Sequence, residues 1–382
     1  MAVHKLFPSK DSTIYSFYPT MNTGIDPILE SSNLTPSTNP NPEVSRFLIK
    51  FDQTEIENVI DNKIGGMNFT SSLKTYIAQA QNIVAENTLY AYALTSPWEN
   101  GSGQFLDSPI TSNGASWKYS NFDGGNGWST TGNTTRKTSS FLDNNIGGGE
   151  WWINTSNIIN PNIIASQSFD LRTTKDLTLD VSDIIKVWYT SSRQPLTPVT
   201  SIPNNGFIVK WEDDVEFNSL LAVQPITRFY SVDTNTIYPP VLELKWDDSS
   251  YSTTLPPVTS ENIFISLDSN QGEFYKESVN RFRLNVRPEF PVRTFQTASL
   301  FTTNHSLPQE SYYAIKDLDT NEFVVDFDTN CTKISCDNTS NYFDIYMNGL
   351  QPERYYQILI KTTISGSTIV KDDNYYFKVI NG

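Results

Sequence analysis

The chain has little of the chemistry on which most enzymes and metalloproteins depend. It contains only two cysteines and two histidines among 382 residues. His4 and His305 lie far apart, without a nucleophile motif or a four-ligand zinc pattern. Cys331 and Cys336 are an odd number of positions apart, so on one strand their side chains point to opposite faces. We therefore expect free thiols in a reducing compartment and no enzymatic activity.

Basic residues and long apolar runs are also scarce. Lys and Arg total 27 against 42 Asp and Glu, which gives a formal net charge of −15. No basic run exists that would neutralise successive phosphates, so nucleic acid is not an expected partner. No apolar stretch approaches the roughly 20 residues that a membrane-spanning helix needs, and the first residues do not form a signal-peptide pattern. We expect no helical membrane span and no secretory signal.

The residues that are present favour a β-rich globular protein. Hydrophobic residues make up 37% of the chain and aromatic residues 13%, which is too much for a disordered chain. Helical periodicity is confined to residues 53–62 and 181–189. Elsewhere the apolar residues alternate with period two, as in half-buried strands; examples are residues 73–80, 87–94, 206–211 and 241–246. The predicted fold class is all-β.

The length and one polar segment predict two domains. A single hydrophobic core rarely serves 382 residues. Residues 249–260 are polar and proline-rich and follow a predicted strand, so they are expected to form a linker. About seven strands are predicted in residues 261–382, as in an immunoglobulin-like β-sandwich. The turn Gly349–Tyr356 resembles the corner of fibronectin-type sandwiches, in which a tyrosine packs back against the turn.

Six short motifs lie in order along residues 1–248. They are Ser9–Ser16, Arg46–Asp52, Ala115–Tyr119 with Trp128, Leu179–Trp188, Asn205–Trp211, and Phe229–Asp233 with Pro240–Trp246. Together they resemble the DNRLRE domain, a jelly-roll module of the carbohydrate-binding-module type that occurs on surface proteins and in some viral structural proteins. The resemblance implies an N-terminal jelly-roll β-sandwich with long loops over residues 1–248. The chain departs from the family in its long inserted loops and in Val232.

The carboxy-terminal part resembles the end of virion structural proteins of large tailed bacteriophages. The segments that carry this resemblance are Phe282–Pro288, Tyr313–Asp317, Val325–Asp328, Tyr342–Tyr346 and Leu350–Tyr356. It implies a non-enzymatic protein that is assembled in the host cytoplasm into the tail, neck or capsid of a virion. Its expected partners are other virion proteins and further copies of itself. The alternative is an adhesin that binds a glycan of the host surface.

Tryptophans are the candidate residues for an interface or for glycan binding, since the flat face of an exposed ring matches the C–H face of a pyranose. The candidates are Trp98, Trp117, Trp128, Trp151 and Trp152. Adjacent residues on a strand point to opposite faces, so one of the last two is expected to be exposed or at an interface. Trp188, Trp211 and Trp246 belong to strand or helix patterns and are expected in the core.

Carboxylates offer the one candidate metal site. Asp176, Asp180 and Asp183 are predicted as oxygen ligands of a structural calcium ion, a cation that prefers such ligands. Their spacing does not match a known calcium loop, so helix capping and surface solvation are the alternative. No other cofactor is expected. The glycine-rich region from residue 99 to 149 is predicted as a long irregular loop.

Overall fold

The computed structural model describes residues 2–34, 43–83, 86–128, 136–138, 147–152, 163–170, 172–193, 202–216, 224–268, 270–290 and 303–382. Within these ranges the protein is built from antiparallel sheets and a few short helices, so the all-β prediction is confirmed. The chain divides into two compact units. We call Leu6–Glu243 the large unit, and residues 1–5 together with Leu244–Gly382 the small unit.

The elements up to residue 245 are mostly short strands. The strands are β1 (Val3–Leu6), β2 (Lys10–Tyr15), β3 (Ile28–Leu34), β4 (Glu43–Lys50), β5 (Thr70–Thr75), β6 (Ile77–Gln81), β7 (Asn87–Ala93), β8 (Tyr119–Asn121), β9 (Asn126–Gly127), β10 (Arg136–Thr138), β11 (Glu150–Trp152), β12 (Ile164–Phe169), β13 (Leu177–Asp180), β14 (Phe207–Trp211), β15 (Ile226–Tyr230) and β16 (Val241–Lys245). The α-helices are α1 (Gln53–Val59), α2 (Ser182–Arg193) and α3 (Asp213–Glu216).

One antiparallel sheet dominates the large unit. Its strand order is β12-β7-β14-β4-β3-β15-β6, and β2 pairs with β4. Strands β4 and β14 lie at its centre, and every residue of β14 is buried. Four of the six sequence motifs fall on strands of this sheet, namely β2, β4, β14 and β15. The pairing of β13 with β5 lies outside this sheet.

The two predicted helices are present, and α1 starts at a capping residue. Asp52 accepts hydrogen bonds from the backbone N of Thr54 at 2.7 Å and of Glu55 at 3.1 Å, which satisfies the free amides of the first turn of α1. A π-helical turn continues α1 as far as Ile64, and Gly65 ends it at φ 72°. Helix α2 buries Ile184, Ile185 and Trp188, as the periodicity predicts.

The small unit contains two sheets built from nine further strands. These are β17 (Ile263–Asp268), β18 (Glu273–Tyr275), β19 (Val279–Pro288), β20 (Ser311–Asp317), β21 (Phe323–Val325), β22 (Ser335–Cys336), β23 (Asn341–Tyr346), β24 (Tyr355–Ile364) and β25 (Ser367–Ile380). The sheet orders are β17-β19-β23-β22 and β18-β25-β24-β20-β21. Only the pairing of β18 with β25 is parallel among the described pairs of these two sheets.

Aromatic rings hold the two sheets of the small unit face to face. Tyr313 stacks on Phe343 with 4.2 Å between the ring centroids, and the rings of Phe282 and Phe377 are 5.6 Å apart. Each pair joins a strand of one sheet to a strand of the other, so this unit is a β-sandwich. Both cysteines are buried free thiols, as expected.

The turn before β24 has the predicted tyrosine. Tyr356 is buried, and its hydroxyl donates to the carbonyl oxygen of Gln351 at 2.9 Å. The expectation that a tyrosine packs back against this turn is confirmed.

The segment predicted as a linker, residues 249–260, lies inside the small unit. The backbone N of Ser252 donates to the carbonyl of Cys336 at 2.9 Å, and the hydroxyl of Thr253 donates to the carbonyl of Asp337 at 2.8 Å. Backbone and side-chain groups of this segment thus find partners in one unit, which proline and serine content alone does not reveal. The division between the units falls between Glu243 and Leu244.

No helix among the described residues is long and apolar enough to cross a membrane.

Candidate functional site

The five candidate tryptophans do not lie at the surface. None of them is more than 8% exposed. The expectation that one ring of Trp151 and Trp152 is accessible is wrong, because β11 is buried on both faces. The indole N–H of Trp98 donates to the carbonyl of Asn205 at 2.9 Å, and that of Trp128 donates to the carbonyl of Ser116 at 2.9 Å. These rings stabilise the core of the large unit rather than contact a ligand.

Two of these tryptophans surround a group that we call the buried ion cluster, formed by Arg46, Lys210 and Glu216. The guanidinium carbon of Arg46 lies 4.9 Å from the ring centroid of Trp117 and 5.1 Å from that of Trp151. Such cation–π contacts strengthen when water is excluded. The tryptophans thus have a structural role that the sequence pattern did not indicate.

Neighbouring strands position the buried ion cluster. Arg46 lies on β4, Lys210 on the adjacent β14, and Glu216 ends α3 directly after β14. Arg46 donates through Nε at 3.0 Å and Nη2 at 2.7 Å to the two oxygens of Glu216, and Lys210 Nζ lies 2.8 Å from the same carboxylate. All three side chains are fully buried. Without contact with solvent, this cluster cannot bind an external ligand.

The predicted calcium ligands take part in local hydrogen bonds. Asp176 Oδ1 accepts from the backbone N of Ile77 at 2.8 Å, and Asp180 Oδ1 accepts from the backbone N of Ser182 at 3.0 Å. Asp183 lies in the first turn of α2, where a carboxylate favours the helix. In the part of the chain that the structure describes, no group of three or more His, Cys, Asp or Glu side chains has a metal-binding arrangement. The calcium site stays a prediction.

Two loops of the large unit present apolar side chains to solvent. Phe17, Ile25, Phe105 and Leu106 are between 40% and 52% exposed. Tyr18 joins them, because its ring centroid lies 4.9 Å from that of Phe17 and 6.2 Å from that of Phe105. We call these five residues the apolar loop surface. Large exposed apolar patches on a folded protein mark interaction sites.

The loops that carry this surface are fixed by Asn22, which is fully buried. Its Nδ2 donates to the carbonyls of Asn100 and Ala115, both at 2.7 Å. Its Oδ1 accepts from the backbone N of Gly103 at 2.9 Å and of Gly24 at 3.1 Å. Every hydrogen-bonding position of the amide is therefore used within the two loops.

The glycines of these loops allow close backbone contact. A Cβ atom at Gly24 would lie 2.0 Å from the carbonyl oxygen of Asn100, and one at Gly103 would lie 2.3 Å from that of Asn22. Any larger residue at these positions forces the loops apart. The apolar loop surface therefore stands on a closely packed base.

Leu106, one of the residues of this surface, has an unusual backbone conformation. Its φ is 58°, in the left-handed region that bulky side chains rarely adopt. This conformation costs about 1–2 kcal/mol for a residue with a Cβ atom. The side chain is half exposed, so its burial within the chain offsets only part of that cost.

Carboxylates surround the apolar loop surface and hold its backbone. Asp26 Oδ2 accepts from the backbone N of Phe105 at 2.9 Å, and Asp107 Oδ2 accepts from that of Gln104 at 2.8 Å. Residues 15–26 and 99–114 include Asp26, Glu99 and Asp107 but no Lys, Arg or His. Glu99 forms a salt bridge with Lys10 of β2, with 2.7 Å between Nζ and Oε2. The negative charge beside the apolar side chains therefore comes from Asp26 and Asp107.

Beneath this region lies the buried carboxyl group of Asp11 on β2. Burial raises the pKa of Asp11 to about 7, with a smaller contribution from the carboxylates of Asp233 and Asp26. The backbone N of Val232 donates to Asp11 Oδ2 at 2.7 Å, which acts in the opposite direction. Asp11 is 1% exposed, so it contributes to folding rather than to a surface site.

The apolar loop surface was missed by sequence reasoning. Phe105 and Leu106 lie in a region rich in Gly, Ser and Asn. An isolated apolar residue in such a region can be buried in the core or exposed at a contact surface, and the sequence does not distinguish the two. Comparison of the chain with protein families, with characterised proteins and with solved structures finds no match. The function is therefore argued from the geometry of this surface.

Proposed function

We propose that the protein is a non-enzymatic structural component of a tailed-bacteriophage virion, placed in the tail, neck or capsid, and that it contacts neighbouring virion proteins through the apolar loop surface. The observation that supports a contact role is the exposure of large apolar side chains on loops fixed by the buried Asn22. Protein interfaces are built around such apolar and aromatic groups. Several copies in one particle would multiply weak single contacts.

We further propose that the small unit is an immunoglobulin-like sandwich. In chain order its strands take the letters A, A′, B, C, C′, D, E, F and G, and the sheets then read A-B-E-D and A′-G-F-C-C′. This order agrees with that of immunoglobulin domains, with an additional A′ strand beside G and C′ beside C, and it supports the proposal. The bond from Tyr356 at the start of strand F to Gln351 corresponds to the tyrosine corner of these domains.

For the large unit we propose a jelly roll of the DNRLRE type. Support comes from the motif-bearing strands β2, β4, β14 and β15, which belong to one antiparallel sheet. Arg46, in the second motif, is at the centre of that sheet and is fully buried. A non-enzymatic role agrees with the burial of Asp11 and of the ion cluster, since neither can reach a substrate.

Quantitative mass spectrometry of purified particles tests the virion proposal. We expect the protein in a fixed ratio to the major capsid protein, and the ratio distinguishes a capsid decoration from a tail or neck ring. Absence of the protein from the purified particles would overturn the proposal.

Glycan binding is the second candidate, because Phe17, Tyr18 and Phe105 offer accessible rings where the tryptophans do not. A glycan array probed with the whole protein tests it. A signal that is lost in Phe105→Ala and kept in Phe290→Ala would support this reading, since Phe290 is exposed in the small unit. An array without signal above background would exclude the glycans tested.

A further inference from the structure

We propose that the apolar loop surface docks a protein segment in which apolar side chains alternate with lysine or arginine. This partner chemistry rests on the proposed contact role of the surface. It follows from three properties of the loops: the conformation of Leu106, their charge, and the orientation of their rings.

The conformation of Leu106 points to a partner. Its left-handed backbone would suit glycine or asparagine better, and its side chain is half exposed in the free protein. Strain of this kind persists where the surroundings fix it, and it is concentrated at functional positions. A partner that covers Leu106 gives the side chain the burial that the chain itself does not provide.

The negative charge of the loops favours a partner with positive charge. Asp26, Glu99 and Asp107 are the charged residues of residues 15–26 and 99–114. Glu99 forms a salt bridge with Lys10, with 2.7 Å between Nζ and Oε2, so Asp26 and Asp107 supply the negative charge that a partner meets. A second copy of this chain would place the same negative charges against them, and like charges that face each other oppose binding. A segment with lysine or arginine is attracted instead, and the net charge of −15 accelerates its approach.

The ring orientations favour protein over sugar. Phe17 and Tyr18 are inclined at 82° to each other, and so are Tyr18 and Phe105. These rings form no common plane on which neighbouring sugar rings would stack. Ile25 and Leu106 add branched aliphatic groups without a flat face. Such a surface is complementary to apolar side chains, which fit between non-parallel groups.

The test measures binding of synthetic 12-residue peptides to the whole protein by fluorescence polarisation. One peptide set alternates leucine or tryptophan with lysine, and a second set has glutamate in place of lysine. We expect the lysine set to bind, more weakly as salt rises, and the glutamate set not to bind. Leu106→Gly should weaken binding by about tenfold or more, as at an interface hot spot.

The substitution separates docking from folding and from general charge attraction. Leu106→Gly leaves the net charge unchanged, and relief of the left-handed backbone compensates for the lost side chain and for the greater freedom of glycine in the unfolded chain, so the variant should be about as stable as the parent protein. Phe290→Ser, which removes an exposed ring of the small unit, should bind like the parent. Equal binding of the lysine set to both variants would overturn the proposal. A dimer of the parent protein that is lost in Leu106→Gly would also overturn it, and so would salt-independent binding of neutral oligosaccharides. The particle measurement is independent, so docking can fail while the virion role stands.

Discussion

At the scale of single residues, Asp11 shows how burial makes one carboxyl group sensitive to pH. Its ordinary pKa of 3.8 rises to about 7 in the folded chain. The folded state therefore binds a proton more tightly than the unfolded state between these two values. The free energy of unfolding falls as the pH rises from about 4 to about 7, and it stays low at higher pH.

We expect Asp11→Asn to remove this pH dependence. The amide oxygen of asparagine still accepts from the backbone N of Val232, but the side chain carries no charge at any pH. The variant should gain about 2–4 kcal/mol at pH 8.5 and about half as much at pH 5.5. Urea unfolding of the large unit, followed by fluorescence of its buried tryptophans, measures the gain. Asp123→Asn, at an exposed position, is the control, and equal gains at both pH values would refute this account.

At the scale of elements, the buried ion cluster joins β4, β14 and α3. Glu216 receives both cations, so Glu216→Gln leaves Arg46 and Lys210 without the carboxylate that they share. We expect this change to cost about 3–5 kcal/mol in the free energy of unfolding. The control is Asp344→Asn, which removes the carboxylate from the partly exposed pair with Arg281 and should cost about 1 kcal/mol or less. Similar losses in the two variants would mean that burial of the cluster is energetically unimportant.

The turn before β24 permits a matched pair of tyrosine variants. Tyr356→Phe removes the hydroxyl that donates to Gln351 and leaves this partly buried carbonyl without that donor, at a cost of about 1–2 kcal/mol. Tyr355→Phe removes the same atom from a half-exposed ring and should change stability by about 0.5 kcal/mol or less. Hydrogen exchange in peptides from residues 244–382 reports both effects. A Tyr356→Phe variant as stable as Tyr355→Phe would show that the corner does not stabilise the sandwich.

Elements with local signals were predictable from the sequence, and surfaces were not. Asp52 caps α1 and Ile56 is buried on its apolar face, because capping and periodicity act within a few residues. Whether Trp151 is exposed depends on segments that are distant in sequence. The alternation of residues along β11 does not show that both faces of this strand are covered. Leu106 has a φ that no sequence motif specifies, so the apolar loop surface emerged only from the structure.

At the scale of the whole molecule, the chain does not divide in sequence order. Residues 1–5 belong to the small unit, although more than two hundred residues of the large unit follow them. From their position in the sequence, these residues are predicted to belong to the N-terminal domain. Hydrogen bonds assign them otherwise: the backbone N of Trp246 donates to the carbonyl of Ala2 at 2.9 Å, and Asn348 Nδ2 donates to that of Lys5 at 3.2 Å.

Deletion of residues 2–5 should therefore destabilise the distant end of the chain. The segment contributes these hydrogen bonds and the buried side chains of Ala2 and Val3 to the small unit, so its loss should cost that unit about 2–4 kcal/mol. Hydrogen exchange should rise in peptides from residues 244–382 and much less in peptides from the centre of the large unit, such as β4 and β14. Removal of the exposed Asn381 and Gly382 is the control and should leave exchange unchanged. If exchange rose mainly in the large unit, residues 2–5 would belong energetically to the domain that follows them in sequence, and the division of the chain would have to be redrawn.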